Sequence, residues 1–399
     1  MIVLDLRHAI TRAVVESGWD AGTEPKLRPG GQPGTYASSI ALSLSTAAVN
    51  AATASTAARS TAARSTAARS PVTGNTVTGN TATGNLEALA IARTLAGRLA
   101  TEDWIARATA TGNGYITVTV TPQALASVAA RVTAAGAGCV SSDVLRADVV
   151  APMPPADLEG AATWEDARAA LAAELAAALA VAAGATVAAS EAGATVAASG
   201  GATAELTAAG GAEPTVAASE AAELAAASGG GARTRRRGPA GDAMAFAGAD
   251  AVRFALARAI PGKPVRIDPV SVARYSLDNP AYAVRYAHAR AVSGMRWAAA
   301  LAKPGEAALP CLPADPAGWA LLDALSWLPE RVAVAARRGR PDELARYLEE
   351  LASATIAALP FVGPAGGERL ALVQATAQAA RTALAAGLGL LGVAAPDRL

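Results

Sequence analysis

The bulky apolar residues of this chain cluster towards its two ends, and the stretches between are rich in alanine, glycine, serine and threonine. Ile2, Leu6, Ile10 and Val14 recur at four-residue steps, which predicts a helix over residues 1–17. Residues 34–50 carry a helical tail, and Leu86, Leu89, Leu95 and Leu99 mark a further helix over 86–100. Residues 115–121 alternate instead, with Ile116, Val118 and Val120 on one side, as a strand buried on one face requires. Gly112-Asn113-Gly114 supplies the turn before that strand, and Pro122 opens a helix reaching about Ala134. The amino-terminal region therefore reads as an α+β module.

The carboxy-terminal region reads as helix throughout. One long helix is expected over 279–302 and another over 316–338, the second with Trp319, Leu322, Ser326 and Pro329 on one face. Asp342 and Glu343 favour the start of the next, in which Leu344, Tyr347, Leu348, Leu351 and Thr355 follow at helical spacing. The last runs from about Glu368 to Gly387, with Leu370, Val373, Ala377, Ala380 and Leu384 inward. Gly387 and Gly389 are expected to end it, and Leu390, Leu391 and Val393 to pack back. Stripes of this kind pack ridge into groove as a bundle.

Short repeats break the pattern. Ser55-Thr56-Ala57-Ala58-Arg59 returns at 60–64 and 65–69, and variants of Val72-Thr73-Gly74-Asn75-Thr76 run on to Asn85. A second set begins at Gly184 and leaves remnants as far as Ser219. Units this short, without a bulky residue, cannot stack a core. They read as solvated linkers or weak helices, and deletion of 55–84 is expected to leave the thermal unfolding of the rest unchanged. The expected organisation is a module at 1–150 with a low-complexity insert at 51–85, an Ala/Gly/Ser/Glu spacer at 151–242, and a helical domain at 243–399.

Charge sharpens that division. Residues 1–150 net +3, residues 151–232 net −9, residues 233–242 net +3 and residues 243–399 net +4. Mildly basic ends allow a nucleic-acid partner without demanding one. Cys139 and Cys311 lie far apart, as two isolated thiols of a reducing cytoplasm would. Neither a disulfide framework nor a metal site is expected. The start of the chain lacks the basic and apolar regions of a signal peptide, and Glu174 and Gly184 argue against a membrane span in the alanine-rich stretch around 169–189.

Gly34-Thr35-Tyr36-Ala37-Ser38-Ser39-Ile40-Ala41-Leu42 resembles the "GDYATNVAL" segment of the arginyl-tRNA synthetase family, and Asn113-Gly114-Tyr115-Ile116-Thr117-Val118 resembles its "GPGFINF" strand. Both belong to the family's additional amino-terminal domain, which grips the outer corner of tRNA. Gly248–Phe254 resembles the helix after the family's signature loop. Asp278-Asn279-Pro280-Ala281-Tyr282-Ala283-Val284-Arg285-Tyr286-Ala287-His288-Ala289-Arg290 resembles the entry into its DALR anticodon-binding domain, with Arg285 where the family usually has Gln. Leu344–Leu348, Leu370–Thr376 and Leu388–Arg398 resemble later parts of the same domain. The resemblance implies an α+β module joined by a low-complexity spacer to a DALR-like all-α bundle.

Between these ends the family carries its catalytic domain, which needs a "HIGH"-type motif and a "KMSKS"-type lysine loop to stabilise charge on ATP phosphates. Here the histidines are His8 and His288 and the lysines are Lys26, Lys263 and Lys303, which supply neither motif. No doubly wound sheet is expected from 151–242. Residues 353–367 also replace an aromatic-rich stretch near the family's anticodon pocket, and bases of single strands are read by stacking on rings.

His288 is expected to be a packed helix-interface residue, the Arg233–Arg237 run a solvated linker, and Trp297, Trp319 and Trp327 core. Tyr282 and Tyr286 are expected to form a domain-joining face. The resemblance makes Arg285, Arg290, Arg346, Arg369, Arg381 and Arg398 the candidate tRNA contacts. The expectation is a cytoplasmic tRNA-binding protein without an aminoacylation centre, with no cofactor and no membrane or metal partner; ATP is the family's substrate. The runner-up is an interaction module acting on a full-length synthetase or another protein, and the third reading is a working arginine–tRNA ligase.

Overall fold

The computed structural model describes the chain except for residues 21, 23, 49, 51–79, 189–236, 302–314 and 360–366, with the side chains of 80–84 and 367–369 also outside it. The repeats at 55–76, the basic run at 233–236 and Cys311 therefore lie outside the described residues, as does the greater part of 353–367 beyond Leu359.

The amino-terminal module begins with α1 (Ile2–Glu16), whose Ile2, Leu6, Ile10 and Val14 are all buried, as their spacing requires. Four antiparallel strands follow in the order β1 (Leu27–Pro29), β2 (Thr35–Ser38), β4 (Ile116–Val120) and β3 (Ile105–Ala110). Tyr36 stands opposite Val118, and Ile116, Val118 and Val120 face inward while the threonines between them face outward. α2 (40–48), α3 (Asn80–Leu99) and α4 (Pro122–Ala135) complete the module. Thr121 caps α4 by accepting the Ala124 N–H at 3.2 Å, with proline in the first turn. Three of these strands were not expected. β2 occupies the first part of the segment read only for its helical tail, and β3 hides its alternation behind small alanines. In α3 the inward face is Ala88, Ile91, Ala92, Leu95 and Leu99, whereas Leu86 is exposed.

The interval expected to be a spacer is folded over its first part. β5 (Val149–Val150) and β6 (Thr186–Val187) pair in parallel around α5 (Trp164–Ala182), a single βαβ unit. Leu171, Leu175 and Leu179, four residues apart, are fully buried and seat α5 in the core. Each contributes about 1.5–3 kcal/mol of burial. Its alanine-rich composition disguises this stripe: the average is bland, but three leucines on one face suffice.

The carboxy-terminal region is helical, as expected. α6 (Pro239–Ala247), α7 (Ala249–Arg258) and the short α8 (Pro269–Val272) lead into a bundle of α9 (Pro280–Leu301), α10 (Pro316–Arg338), α11 (Pro341–Ala358) and α12 (Gly367–Leu390). α12 runs through Gly387 and Gly389. Gly387 lies against Leu348, where a Cβ would approach a methyl to 2.4 Å, so it serves close helix packing. The helix ends instead at Leu390, and the left-handed Gly392, with φ +64°, turns the chain just beyond it.

The two ends share one contiguous core. α1 and α4 pack on α10, and α4 together with the 3-10 turn Gly136–Val140 packs on α12. The Tyr36 hydroxyl donates to Asp323 Oδ1 at 3.1 Å and lies 3.2 Å from Ser326 Oγ, while the Gly34 N–H donates to the same Asp323 oxygen at 3.0 Å. The segment resembling the family's amino-terminal motif is thus buried in the bundle interface. Among the described residues no helix is long and apolar enough to cross a membrane, and no group of three metal-ligating side chains occurs.

Candidate nucleic-acid interface

One face of α9 carries Tyr282, Tyr286, Arg290, Ser293 and Trp297 at helical spacing, and this stripe floors a groove of about 610 Å³. Leu359 at the end of α11, Val373 of α12 and the tail residues Asp397, Arg398 and Leu399 form its walls. Trp297 is 57% exposed, so its indole is offered to solvent and does not serve as core packing. Trp327 is buried as expected, and Trp319 is half-buried.

The tyrosines form a short ladder. Tyr275 meets Tyr282 edge-on at 5.7 Å, and Tyr282 stacks on Tyr286 at 5.8 Å with 23° between planes. Arg290 is fixed beside the ladder: its Nε donates to the Leu359 carbonyl at 2.8 Å and its Nη1 to the Tyr286 hydroxyl at 3.3 Å. Arg296 faces Asp397 at 3.6 Å across the groove, with both side chains about half exposed. Aromatic planes and guanidinium groups lining one open groove suit a single-stranded nucleic acid, whose bases stack and whose phosphates pair.

Two of the six candidate arginines, Arg290 and Arg398, meet in this groove. Arg285 is elsewhere, 3.5 Å from Asp250 on α7. Arg346 braces the bundle, pairing with buried Asp342 at 2.6 Å and donating to the Arg258 carbonyl at 3.3 Å. Arg381 is half-buried, and the side chain of Arg369 is outside the described residues. Arg296 is not among the candidates that the resemblance supplies, Trp297 is expected in the core, and Tyr282 and Tyr286 are expected on a domain-joining face. The signal was the stripe itself, since a core face rarely alternates rings with arginine. His288 is 2% exposed on another face of α9, with Nδ1 3.0 Å from the Pro396 carbonyl. Burial and the nearby Arg381 charge hold its pKa below the ordinary histidine value, against the raising effect of the carbonyl.

The βαβ unit offers a second place to look, because parallel strands present ligands to the loop beyond their carboxyl ends. That loop, 151–163, has no lysine, arginine or histidine and carries Asp157 and Glu159. Thr163 and Asp166 close a reciprocal capping box on α5, with both backbone bonds at 3.1 Å, and Glu165 joins Asp166 in the first turn. The helix terminus that would attract phosphate is therefore satisfied internally and surrounded by carboxylates. Loop 151–163 and the start of α5 do not offer the cationic and donor groups that a nucleoside triphosphate requires.

Residues 284–399 match the family model of the DALR anticodon binding domain. The chain is 40% identical over 170 residues to the arginine–tRNA ligase of Frankia alni, a match covering 40% of this chain and 30% of that protein. It is 38% identical over 165 residues to that of Kineococcus radiotolerans, with the same shares covered. Among solved structures, Thermus thermophilus arginyl-tRNA synthetase aligns with 31% identity and a TM-score of 0.34, over 40% of this chain and 28% of that one. The match thus spans about 30% of the length of these curated relatives.

Proposed function

From a chain whose helical end is an arginyl-tRNA-synthetase-related anticodon-binding domain, we propose a tRNA-binding protein that does not aminoacylate. The groove carries this reading: three arginines and three rings converge on one open channel. Arg290, Arg296 and Arg398 meet phosphates, and Tyr282, Tyr286 and Trp297 take unpaired bases. The rings come from α9, so loss of the aromatic stretch around 353–367 does not leave the domain without stacking surfaces. The acidic, internally capped loop of the βαβ unit supports the second half of the proposal, since adenylation needs donors and cations around the phosphates of ATP.

Fluorescence anisotropy with total tRNA across a salt series tests the binding. Affinity falls with salt as phosphate contacts release counterions. No salt-dependent binding at micromolar protein would sink the reading and favour the protein-interaction alternative, for which the exposed apolar side chains of Phe246 and Leu277 are candidate contacts. Charging of arginine onto tRNA by the purified protein would overturn the claim of catalytic silence.

A further inference from the structure

The tail that walls the groove has little structure of its own. Past Val393 it makes no backbone–backbone hydrogen bond among the described residues. Side chains hold it at successive points. Arg253 Nε donates to the Leu391 carbonyl at 2.8 Å, and Asp250 Oδ1 accepts the Ala394 N–H at 3.2 Å. His288 Nδ1 lies 3.0 Å from the Pro396 carbonyl, and Arg296 pairs with Asp397 at 3.6 Å. The first two come from α7 and the last two from α9. Two of the four anchors are themselves held: Arg253 by Glu174 of α5, and Asp250 by Arg285. Gly392 fits the arrangement, because a Cβ there would lie 2.4 Å from Arg253 Nε.

We propose that these side chains form a clasp that presents Arg398 and Leu399 to the groove, and that His288 is its positioning residue. The groove part of this proposal rests on the RNA reading above. A carbonyl can only accept, so His288 carries its proton on Nδ1, and the bond needs no charge on the ring. Arg253 fixes only the start of the tail and is 16% exposed, whereas the anchors further along compete with water: Asp250 is 30% exposed and Arg296 and Asp397 are 50% and 53% exposed. His288 is the buried one, and its loss leaves a carbonyl without a donor. Arg285, a candidate RNA contact by resemblance, acts here through Asp250 on the tail.

The experiment places a nitroxide on Leu399→Cys with Cys311→Ser. Burial pushes the Cys139 thiol up to about 11, so the label goes to the tail. In the free protein the label is expected to be immobilised, to become mobile in His288→Phe, and to stay immobilised in His288→Asn, whose amide can donate from the Nδ1 position. tRNA affinity is expected to fall about tenfold in His288→Phe, through lost preorganisation, and to recover in His288→Asn. The slope of log affinity against log salt is expected to drop by about 0.7–0.9 as one phosphate contact loosens. An unchanged label spectrum in His288→Phe overturns the clasp. A mobile tail with unchanged tRNA affinity overturns the groove reading and leaves the clasp standing. If His288→Phe fails to fold, His288→Leu, smaller than the ring it replaces and equally unable to donate, carries the same test, and an immobile tail there overturns the proposal.

Discussion

Arg7 in the first helix and Glu330 in α10 form an ion pair across 323 residues of sequence, each side chain only 7% exposed. Glu24 and Arg337 close the pair into a ring in which both arginines contact both glutamates. Burial holds Glu330 above the ordinary carboxylate range, while Arg7 and Arg337 pull it back. Arg7→Met leaves Glu330 buried with one partner, and is expected to destabilise the protein by about 2–4 kcal/mol in urea unfolding. Arg7→Met with Glu330→Leu is expected to recover most of that loss, because no unpaired charge remains.

This ring and the continuous core make the two ends one folding unit. A single calorimetric transition is expected, with calorimetric and van't Hoff enthalpies equal. Two resolved transitions, one assignable to residues 1–150, would show that the contact between the ends is weak.

The Tyr36–Asp323 contact gives the interface a pH dependence. Burial raises the Asp323 pKa, against the hydrogen bonds from Gly34 and Tyr36 that favour the charged form. A carboxyl with a raised folded pKa binds more protons in the native state than in the unfolded one. Its contribution therefore weakens stability as pH rises from the ordinary carboxylate value through the raised one. Asp342 acts in the opposite sense: burial opposes ionisation, but Arg340 and Arg346 outweigh it and the pKa is lowered, so its support is lost as pH falls through that lowered value. Asp323→Asn keeps an acceptor for both donors. Melting curves between about pH 4 and 7 are expected to show the Asp323 component vanish in this variant, with stability at pH 7 equal or higher.

The division between what the sequence disclosed and what it hid follows from chemistry. Helices with bulky residues at regular steps, such as Ile2-Leu6-Ile10-Val14 and Leu344-Leu348-Leu351, were legible because their periodicity survives any context. α5 was hidden because alanine dilutes its three leucines. β3 was hidden because Ala106, Ala108 and Ala110 blur alternation. The interface between the ends was invisible, since Arg7, Asp323 and Glu330 read as surface charges until tertiary structure buries Arg7 and Glu330 and half-buries Asp323. In the groove the resemblance supplied Arg290 and Arg398 but also Arg285 and Arg346, which serve the tail and the bundle. A family position names a residue; only packing decides whether it points at the ligand.

That distinction is measurable in the groove. Trp297→Ala is expected to weaken tRNA binding by about 1–3 kcal/mol, the usual worth of one stacked base. Arg290→Ala is expected to lower the salt slope by about 0.7–0.9. Arg346→Ala is expected to leave the slope unchanged and to lower the melting temperature, because it strips a partner from Asp342, which is 0% exposed. An equal slope change for Arg290 and Arg346 would show that both face the RNA.

α5 provides the test of the interval that looked like a linker. Leu175 is 1% exposed between Leu171 and Leu179, and Leu175→Ala is expected to cost about 2–5 kcal/mol. A true spacer would tolerate the change within about 0.5 kcal/mol. The adjacent Glu174 adds a functional readout. It pairs with Arg253 and accepts the Ala156 N–H at 2.8 Å, so it ties the βαβ unit to the anchor of the tail. Glu174→Gln removes the charge and keeps one acceptor oxygen, so the Ala156 N–H can still be met while the bond from Arg253 is lost; it is expected to cost no more than about 1 kcal/mol of stability and to weaken tRNA binding two- to threefold (about 0.5 kcal/mol). A larger loss of stability in Glu174→Gln, with binding falling in parallel, would instead mean that the unit supports only the core.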